Sequence, residues 1–318
     1  MPISPTVQLL KAAADPSRLR LLALLATGEA TVGELVQVLG QSQPRVSRHL
    51  RVLSEARLVE SFRDGQSVYY RLAAAGPVVE LAGGVVALAR DGDALMAADQ
   101  ARLAGIRRSR ERFALAAPEG PRHRADAAGV LPAETDLRDA LDDALGRGPL
   151  GNLLDIGAGA GVVLRLLAPR AKSAVGLDHS KAMRVLARSR LQEAGCGQCT
   201  IRSGDMHELP FADLAFDVVV LDQVLSRSDR PLVALREALR VLRPAGQLLI
   251  LDRVLPPALR LSRRSPQRAL FENQLQAMLR GLGLRCGRTV WLPGRAPEHA
   301  LIVATLSVPS LRTGTDDQ

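Results

Sequence analysis

Through residue 72 the apolar positions recur at helical spacing and then change to strand-like runs. Leu9, Leu10 and Ala13 begin an amphipathic helix, and Pro16-Ser17 opens a second, with Leu19, Leu21, Leu22, Leu24 and Leu25 on its apolar face. Thr31 suits the N-cap of a third helix, because Glu34 stands where a capping-box partner belongs. That helix carries Leu35, Val38 and Leu39 and stops at Gly40, a preferred C-terminal breaker. Ser42 is expected to cap a fourth helix, with Pro44 in its first turn, where a missing N–H is harmless. Val46, Leu50 and Leu53 lie at i, i+4 and i+7 of that helix and should face the core. Leu58–Arg63 and Gln66–Leu72 read as strands, and the Asp64-Gly65 pair between them is a strong hairpin signal. A hairpin directly after a helix-turn-helix is a wing.

Farther along, residues 76–90 read as a helix weakened by Gly83-Gly84. Residues 94–115 form a better one, with the basic run Arg107-Arg108-Ser109-Arg110 near its end, and another helix covers about 133–146. The stretch 116–130 has little periodicity and is the expected linker. From about 147 onward, strand-like runs alternate with helical segments. The runs are Asn152–Ile156, Ala174–Leu177, Thr200–Ser203, Phe216–Leu221, Gln247–Leu251 and Ala300–Leu306. That alternation predicts a mainly parallel sheet with helices on both faces. The expected fold is α/β overall: a winged helix-turn-helix over 1–75, a helical region over 76–145 and a Rossmann-like sheet over 146–310.

Composition narrows the class. The chain has 318 residues, 47% of them hydrophobic and 24% charged, which excludes a disordered chain or a disulfide-stapled miniprotein. Aromatic residues make up only 3%, so the cores rest on Ala, Leu and Val. The formal net charge of +9 favours a polyanionic partner. Three cysteines, Cys196, Cys199 and Cys286, are no disulfide framework and suit a reducing cytoplasm. The N-terminus lacks a basic-then-apolar signal pattern. The most apolar stretch, Ala73–Ala89, is broken by Glu80 and falls short of a bilayer span. A cytoplasmic protein with no membrane partner is expected.

The helix over 43–56 leaves Gln43, Arg45, Ser47, Arg48 and Arg51 exposed. Gln and Arg make bidentate contacts to adenine and guanine edges in the major groove. Arg48, Arg51 and the wing residue Arg63 are placed to reach phosphates, which position the helix without reading sequence. The segments LKAAADPSRLRLLALL and SQPRVSRHLRVLSEARLVESFRDGQSVYYRL, nearly all of residues 7–72, resemble the ArsR-type winged helix-turn-helix repressors. The resemblance implies a homodimer built through the first helix and the helix after the wing, with 76–145 as its dimerisation and linker region. It also implies an inducer-controlled regulator of a roughly palindromic operator in double-stranded DNA. Metal-sensing members carry Cys-x-Cys in the helix before the turn, and here that helix reads Glu34-Leu35-Val36-Gln37-Val38-Leu39. The helix after the wing likewise has no His or Cys, so no metal site is expected in this domain.

In the third piece, Leu153-Leu154-Asp155-Ile156 runs into Gly157-Ala158-Gly159-Ala160-Gly161, a strand entering a glycine-rich turn where backbone can approach a ligand closely. Val175-Gly176-Leu177-Asp178 ends a second strand in an acid placed to accept ribose hydroxyls. Gly204-Asp205-Met206 and Leu209-Pro210-Phe211 follow a third strand. Phe216–Asp222 gives a fourth, and Leu239-Arg240-Val241-Leu242-Arg243-Pro244-Ala245-Gly246 closes a helix before a fifth. This ordered set resembles the class I S-adenosylmethionine-dependent methyltransferases over residues 150–252. The resemblance implies that Asp155, Gly157, Gly159 and Gly161 line the methionine and ribose side of S-adenosylmethionine, and that Asp178 binds its ribose. It further implies that Asp205 and Met206 contact the adenine and that Asp222 and Gln223 flank the sulfonium.

The order of the two halves also resembles ArsR–methyltransferase fusions, with departures on the acceptor side. The segment before the methyltransferase, Arg112-Phe113-Ala114-Leu115-Ala116-Ala117-Pro118, has no Tyr or Trp, and Val224-Leu225-Ser226-Arg227 replaces a His-bearing run. The usual Pro-Gly-Gly is Pro244-Ala245-Gly246. His179 and His207 read as cofactor-rim or surface residues, and no catalytic base is nominated. Cys196-Gly197-Gln198-Cys199 reads as a loop pair rather than a metal site, and the arginines in 253–296 as a solvated basic face. Two readings stay open. One is a DNA-binding regulator whose fused domain either methylates a small molecule or senses S-adenosylmethionine or S-adenosylhomocysteine. The other is a small-molecule methyltransferase whose winged helix serves dimerisation or docking.

Overall fold

The computed structural model describes residues 3–73, 83–84, 86–87, 93–116, 132–255, 270–287, 289–292 and 299–306. The helix expected over 76–90, apart from residues 83–84 and 86–87, lies outside the described residues, as do most of the expected linker and the arginines of 256–269. The N-terminal elements are α1 (Ile3–Ala13), α2 (Pro16–Leu25), β1 (Ala30–Thr31), α3 (Val32–Leu39), α4 (Gln43–Glu55), β2 (Val59–Asp64), β3 (Ser67–Leu72) and α5 (Ala94–Ala116).

Local chemistry explains most of these boundaries. The Asp15 carboxylate caps α2 by accepting the Arg18 N–H at 3.0 Å. Thr31 and Glu34 close a reciprocal capping box: the Glu34 N–H donates to the Thr31 hydroxyl at 3.2 Å, and the Thr31 N–H to the Glu34 carboxylate at 2.7 Å. Gly40 ends α3 at φ +64°. Ser42 corrects one expectation. It occupies the N-cap of α4 with extended backbone, yet its side chain makes no capping bond. A cap oxygen takes the N–H of the second or third helical residue. Here the second is Pro44, which has none, and the Arg45 N–H donates to the Ser42 carbonyl instead.

The strands β1, β3 and β2 form an antiparallel sheet in that order, and Gly65 turns the hairpin at φ +60°. The register sets Phe62 opposite Tyr69, and the two rings stack at 5.7 Å. Beneath lies one apolar cluster that includes Leu21, Leu22, Leu35, Val46, Leu50 and Leu53, joined by Met96 and Leu103 of α5. Each such buried side chain contributes about 1.5–3 kcal/mol. The buried Asp99 of α5 pairs with Arg20 of α2 and fixes the long helix on this core.

The later elements are α6 (Glu134–Leu145), β4 (Gly151–Ile156), α7 (Val162–Leu167), β5 (Ala171–Leu177), α8 (Lys181–Glu193), β6 (Cys199–Arg202) and β7 (Phe216–Asp222). They continue with α9 (Pro231–Val241), β8 (Leu242–Leu255), β9 (Leu270–Phe271), α10 (Glu272–Gly281), β10 (Leu284–Cys286), β11 (Val290–Leu292) and β12 (His299–Leu306). Every expected strand is present, and β8 is much longer than its apolar run. Cys199 is not in a loop: it begins β6, paired with Ala174, and both it and Cys196 are buried.

The chain divides into two compact units, Met1–Ala127 with Ala158–Gly204, and Ala128–Gly157 with Asp205–Gln318. In the first, β5 and β6 are parallel. In the second, β4, β7 and β8 are parallel, and β12 runs antiparallel to β8 with β10 and β11 antiparallel to β12. The α/β class expected from the alternation is therefore found. The near-continuous burial of Val218 to Leu221 is what a strand covered on both faces requires. No helix among the described residues is long and apolar enough to cross a membrane.

Candidate nucleic-acid interface and cofactor loops

Helix α4 is two-sided. Val46, Leu50 and Leu53 are fully buried, whereas Gln43, Arg45, Arg48 and Arg51 are exposed and Ser47 is half-buried. None of these three arginines has an ion-pair partner among the described residues, so their charge is directed to solvent. The wing is also two-sided, because strand alternation divides it. Glu60, Phe62 and Asp64 share one face with their partners Arg71, Tyr69 and Ser67. Ser61 and Arg63 stand on the other, and Arg63 is exposed.

The Asp64 face of the wing packs on α8 and β6, within the first unit. The Asp64 carboxylate accepts Arg184 Nε at 3.1 Å, an Arg188 η nitrogen at 2.7 Å and the Ser203 N–H at 2.9 Å. Burial pushes this carboxyl up, but Arg188 and then Arg184 outweigh burial and hold it below the ordinary carboxylate range. The Arg188 guanidinium lies 4.0 Å over the Tyr69 ring, and Arg202 lies 5.2 Å from the Phe62 ring. Arg71 bonds the Thr200 hydroxyl. Glu29, just before β1, accepts the Ile201 N–H at 2.8 Å and Arg188 Nε at 3.3 Å. Burial pushes Glu29 up, and Arg188 offsets this only in part. Nearby, burial lowers Arg107 to about 10. Sequence reading missed this cluster. Its one local signal was Arg184 and Arg188 at i, i+4, a like-charge pair that costs helix stability unless acids meet it.

The glycine-rich turn and the acid after β5 meet in the first unit. The buried Asp178 carboxylate accepts the Gly159 N–H at 2.9 Å and the Ser180 N–H at 2.7 Å. Gly161 opens α7 at φ +79°, and a Cβ there would stand 3.3 Å from that of Ala187. Ser180 caps α8 by accepting the Met183 N–H at 3.3 Å. His179, with its side chain 80% exposed, is a surface residue.

In the second unit, Asp155 is fully buried within β4, and Gly157 follows at φ +85°. A Cβ on Gly157 would fall 2.6 Å from the Asp222 carbonyl oxygen and closer still to Val224. Gln223, after β7, holds φ +53°, uncommon for a non-glycine residue. Its N–H donates to the Leu251 carbonyl at 2.7 Å and its amide to the Asp222 carboxylate at 3.3 Å. Buried Asp252 of β8 fixes the same loop by accepting the Leu225 and Ser226 N–H groups at 2.8 and 3.1 Å. Burial pushes its carboxyl up despite these bonds. Exposed Asp205 accepts both the backbone N–H and the ring Nδ1 of His207, at 2.9 and 2.7 Å. His207 Nε2 lies 2.8 Å from the Ser228 hydroxyl. Met206 between them is half-buried. Gly157, Asp222 and Gln223 are thus brought together, whereas Asp205 is tied to His207, which in turn meets Ser228.

Residues 15–61 match the sequence model of bacterial regulatory proteins of the arsR family, and residues 154–250 match that of a methyltransferase domain. The transcriptional repressor SdpR of Bacillus subtilis is 39% identical over 62 residues, which are 20% of this chain and 69% of that protein. The biofilm growth-associated repressor of Agrobacterium fabrum is 48% identical over 65 residues, 20% of this chain and 56% of its own length. The uncharacterized methyltransferase YcgJ of Bacillus subtilis is 34% identical over 104 residues, 33% of this chain and 41% of that protein. The chain therefore spans less than half the length of this methyltransferase relative. Winged helix and α/β half together define a DNA-binding type of regulator fused to a methyltransferase domain. By its N-terminal match the chain belongs to the ArsR family of bacterial regulatory proteins.

Proposed function

We propose that the protein is a homodimeric cytoplasmic transcriptional regulator that binds operator DNA and whose fused domain binds S-adenosylmethionine or S-adenosylhomocysteine. In this reading residues 1–75 bind DNA, 76–145 dimerise and link, and 146–310 form the methyltransferase domain. The carrying observation is α4, with a fully buried apolar stripe opposite exposed Gln43, Arg45, Arg48 and Arg51 whose arginines have no ion-pair partner among the described residues. A dimerisation module gains nothing from that face, whereas a major groove is read by it. Gln43 and Arg45 read base edges with Ser47, and Arg48, Arg51 and Arg63 hold phosphates.

The residues present suit an adenosine cofactor. Asp178 is a buried carboxylate just past the end of parallel β5, the type of acceptor a ribose diol requires, and its position is held by the Gly159 N–H. Gly159 and Gly161 hold left-handed φ values in the glycine-rich turn, whose Gly159 N–H meets the Asp178 carboxylate. Asp155 belongs to the same strand–turn, Asp205 and Met206 serve the adenine, and Asp222 and Gln223 serve the sulfonium end. When bound, S-adenosylmethionine supplies an electrophilic methyl group. A small-molecule acceptor would be held in line with it.

Two titrations test the reading. Binding of a duplex selected by the protein from a random pool should weaken steeply with salt, and S-adenosylhomocysteine should bind wild type far better than Asp178→Asn in calorimetry. A folded protein that selects no duplex refutes the regulator. One that binds neither adenosyl compound refutes the cofactor assignment.

A further inference from the structure

We propose that Arg184 is a positioning residue that couples the cofactor loop to the DNA-binding wing, so that ribose binding at Asp178 and duplex binding beside Arg63 change each other's affinity. This rests on the cofactor and DNA readings above and names how one site regulates the other.

All the groups involved lie in the first unit. One Arg184 η nitrogen donates to the carbonyls of Asp178 and His179 at 3.0 and 2.9 Å. Its Nε donates to the Asp64 carboxylate at 3.1 Å. The same residue's backbone N–H donates to the Ser180 carbonyl at 3.1 Å, and the Ser180 N–H returns to the Asp178 carboxylate at 2.7 Å. Asp178, His179, Ser180 and the first turn of α8 are therefore one hydrogen-bonded node with Arg184 at its centre. A ribose that reorients the Asp178 carboxylate acts on a segment whose carbonyls Arg184 holds.

The other end of the link is the wing turn. Asp64 ends β2, adjoins exposed Arg63 and precedes Gly65, the residue that turns the hairpin at φ +60°. Arg184 is 5% exposed and Asp64 7%, so neither can exchange its partner for bulk water when the loop shifts. A buried ion pair separated from its partners leaves an uncompensated charge out of water, which is strongly unfavourable. Arg184 therefore moves with both partners, and close-packed surroundings turn that into a change of arrangement rather than a gradual yielding. Arg188, on the same carboxylate at 2.7 Å, keeps the wing docked and lacks the bonds to the Asp178 and His179 carbonyls.

The test is a linkage measurement on the full-length protein. S-adenosylhomocysteine is titrated calorimetrically with and without a saturating duplex that the protein selects from a random pool. The duplex is then titrated with and without S-adenosylhomocysteine. In wild type the two affinities should change by the same factor, about fivefold or more in either direction. In Asp64→Asn and in Arg184→Met each ligand should still bind alone, with the factor close to one. Arg184→Lys is the milder companion: it keeps a charge but lacks the fork that reaches the carbonyls and Asp64 together, and it should also abolish the coupling. A merely structural role would alter single affinities and leave the coupling factor intact. Both ligands binding independently in wild type overturns the proposal alone, as does coupling that survives in Asp64→Asn and Arg184→Lys. Absence of either ligand's binding in wild type overturns the underlying reading, and this proposal with it.

Discussion

Replacing Gly157 by alanine isolates the backbone geometry at the mouth of β4. Two costs add. At φ +85° an L side chain crowds its own backbone, which costs roughly 1–2 kcal/mol. The new Cβ also falls 2.6 Å from the Asp222 carbonyl oxygen and 2.2 Å from Val224 Cγ1. Val224 can rotate, but Asp222 is backbone of a buried parallel strand, so the loop after β7 must shift. Overpacking of that kind costs about 1–3 kcal/mol. The expected total, about 2–5 kcal/mol, is a large share of the roughly 5–15 kcal/mol that holds a typical domain. Gly283→Ala is the matched control in the same unit: its φ is +78°, but a Cβ there meets nothing within 4 Å, so only the conformational cost remains. Urea denaturation followed by circular dichroism measures both. Equal destabilisation of the two variants would refute the claim that close approach to Asp222 dictates glycine at 157.

Asp64→Asn should lower stability by about 3 kcal/mol, because it removes the charge facing Arg184 and Arg188. The folded carboxyl lies below its ordinary value, so its contribution is full above about pH 4 and is lost as pH falls through the lowered pKa. Wild type should therefore lose stability in that acid window, and the Asn variant less; parallel profiles would count against the ion pair. Arg51→Ala removes one phosphate contact per protomer and should reduce the slope of log affinity against log salt by about 1.8 for the dimer, without changing the preferred sequence. Gln43→Ala should relax preference at one base pair at a cost of about 1–3 kcal/mol; an unchanged selection would remove Gln43 from the groove. Leu50→Ala, at a fully buried position of α4, should cost about 2–5 kcal/mol in thermal denaturation, and a loss under 1 kcal/mol would contradict the packing.

Much of this fold is written in short stretches of sequence. The Thr31–Glu34 box, the Gly40 stop, the buried Val46-Leu50-Leu53 stripe, the Asp64-Gly65 hairpin and the glycine-rich turn all occur where the residues predict them. Each depends on neighbours within a few positions, through hydrogen bonds inside one turn or side-chain periodicity along one element. Ser42 makes no side-chain cap for an equally local reason, since Pro44 withholds one of the two donors available to such a cap. Cys199 and the ends of β8 were hidden differently: strand extent depends on what pairs alongside, as Cys199 does with Ala174.

The tertiary structure alone decided what the wing rests on. Asp64 looks like a turn residue and Arg184 and Arg188 like a solvated helix face, but 120 and 124 positions separate the carboxylate from its two guanidinium partners. No periodicity spans that interval. An ion pair is specified by Coulomb attraction and desolvation at the place where the chain folds back, and those exist only once the surrounding core excludes water.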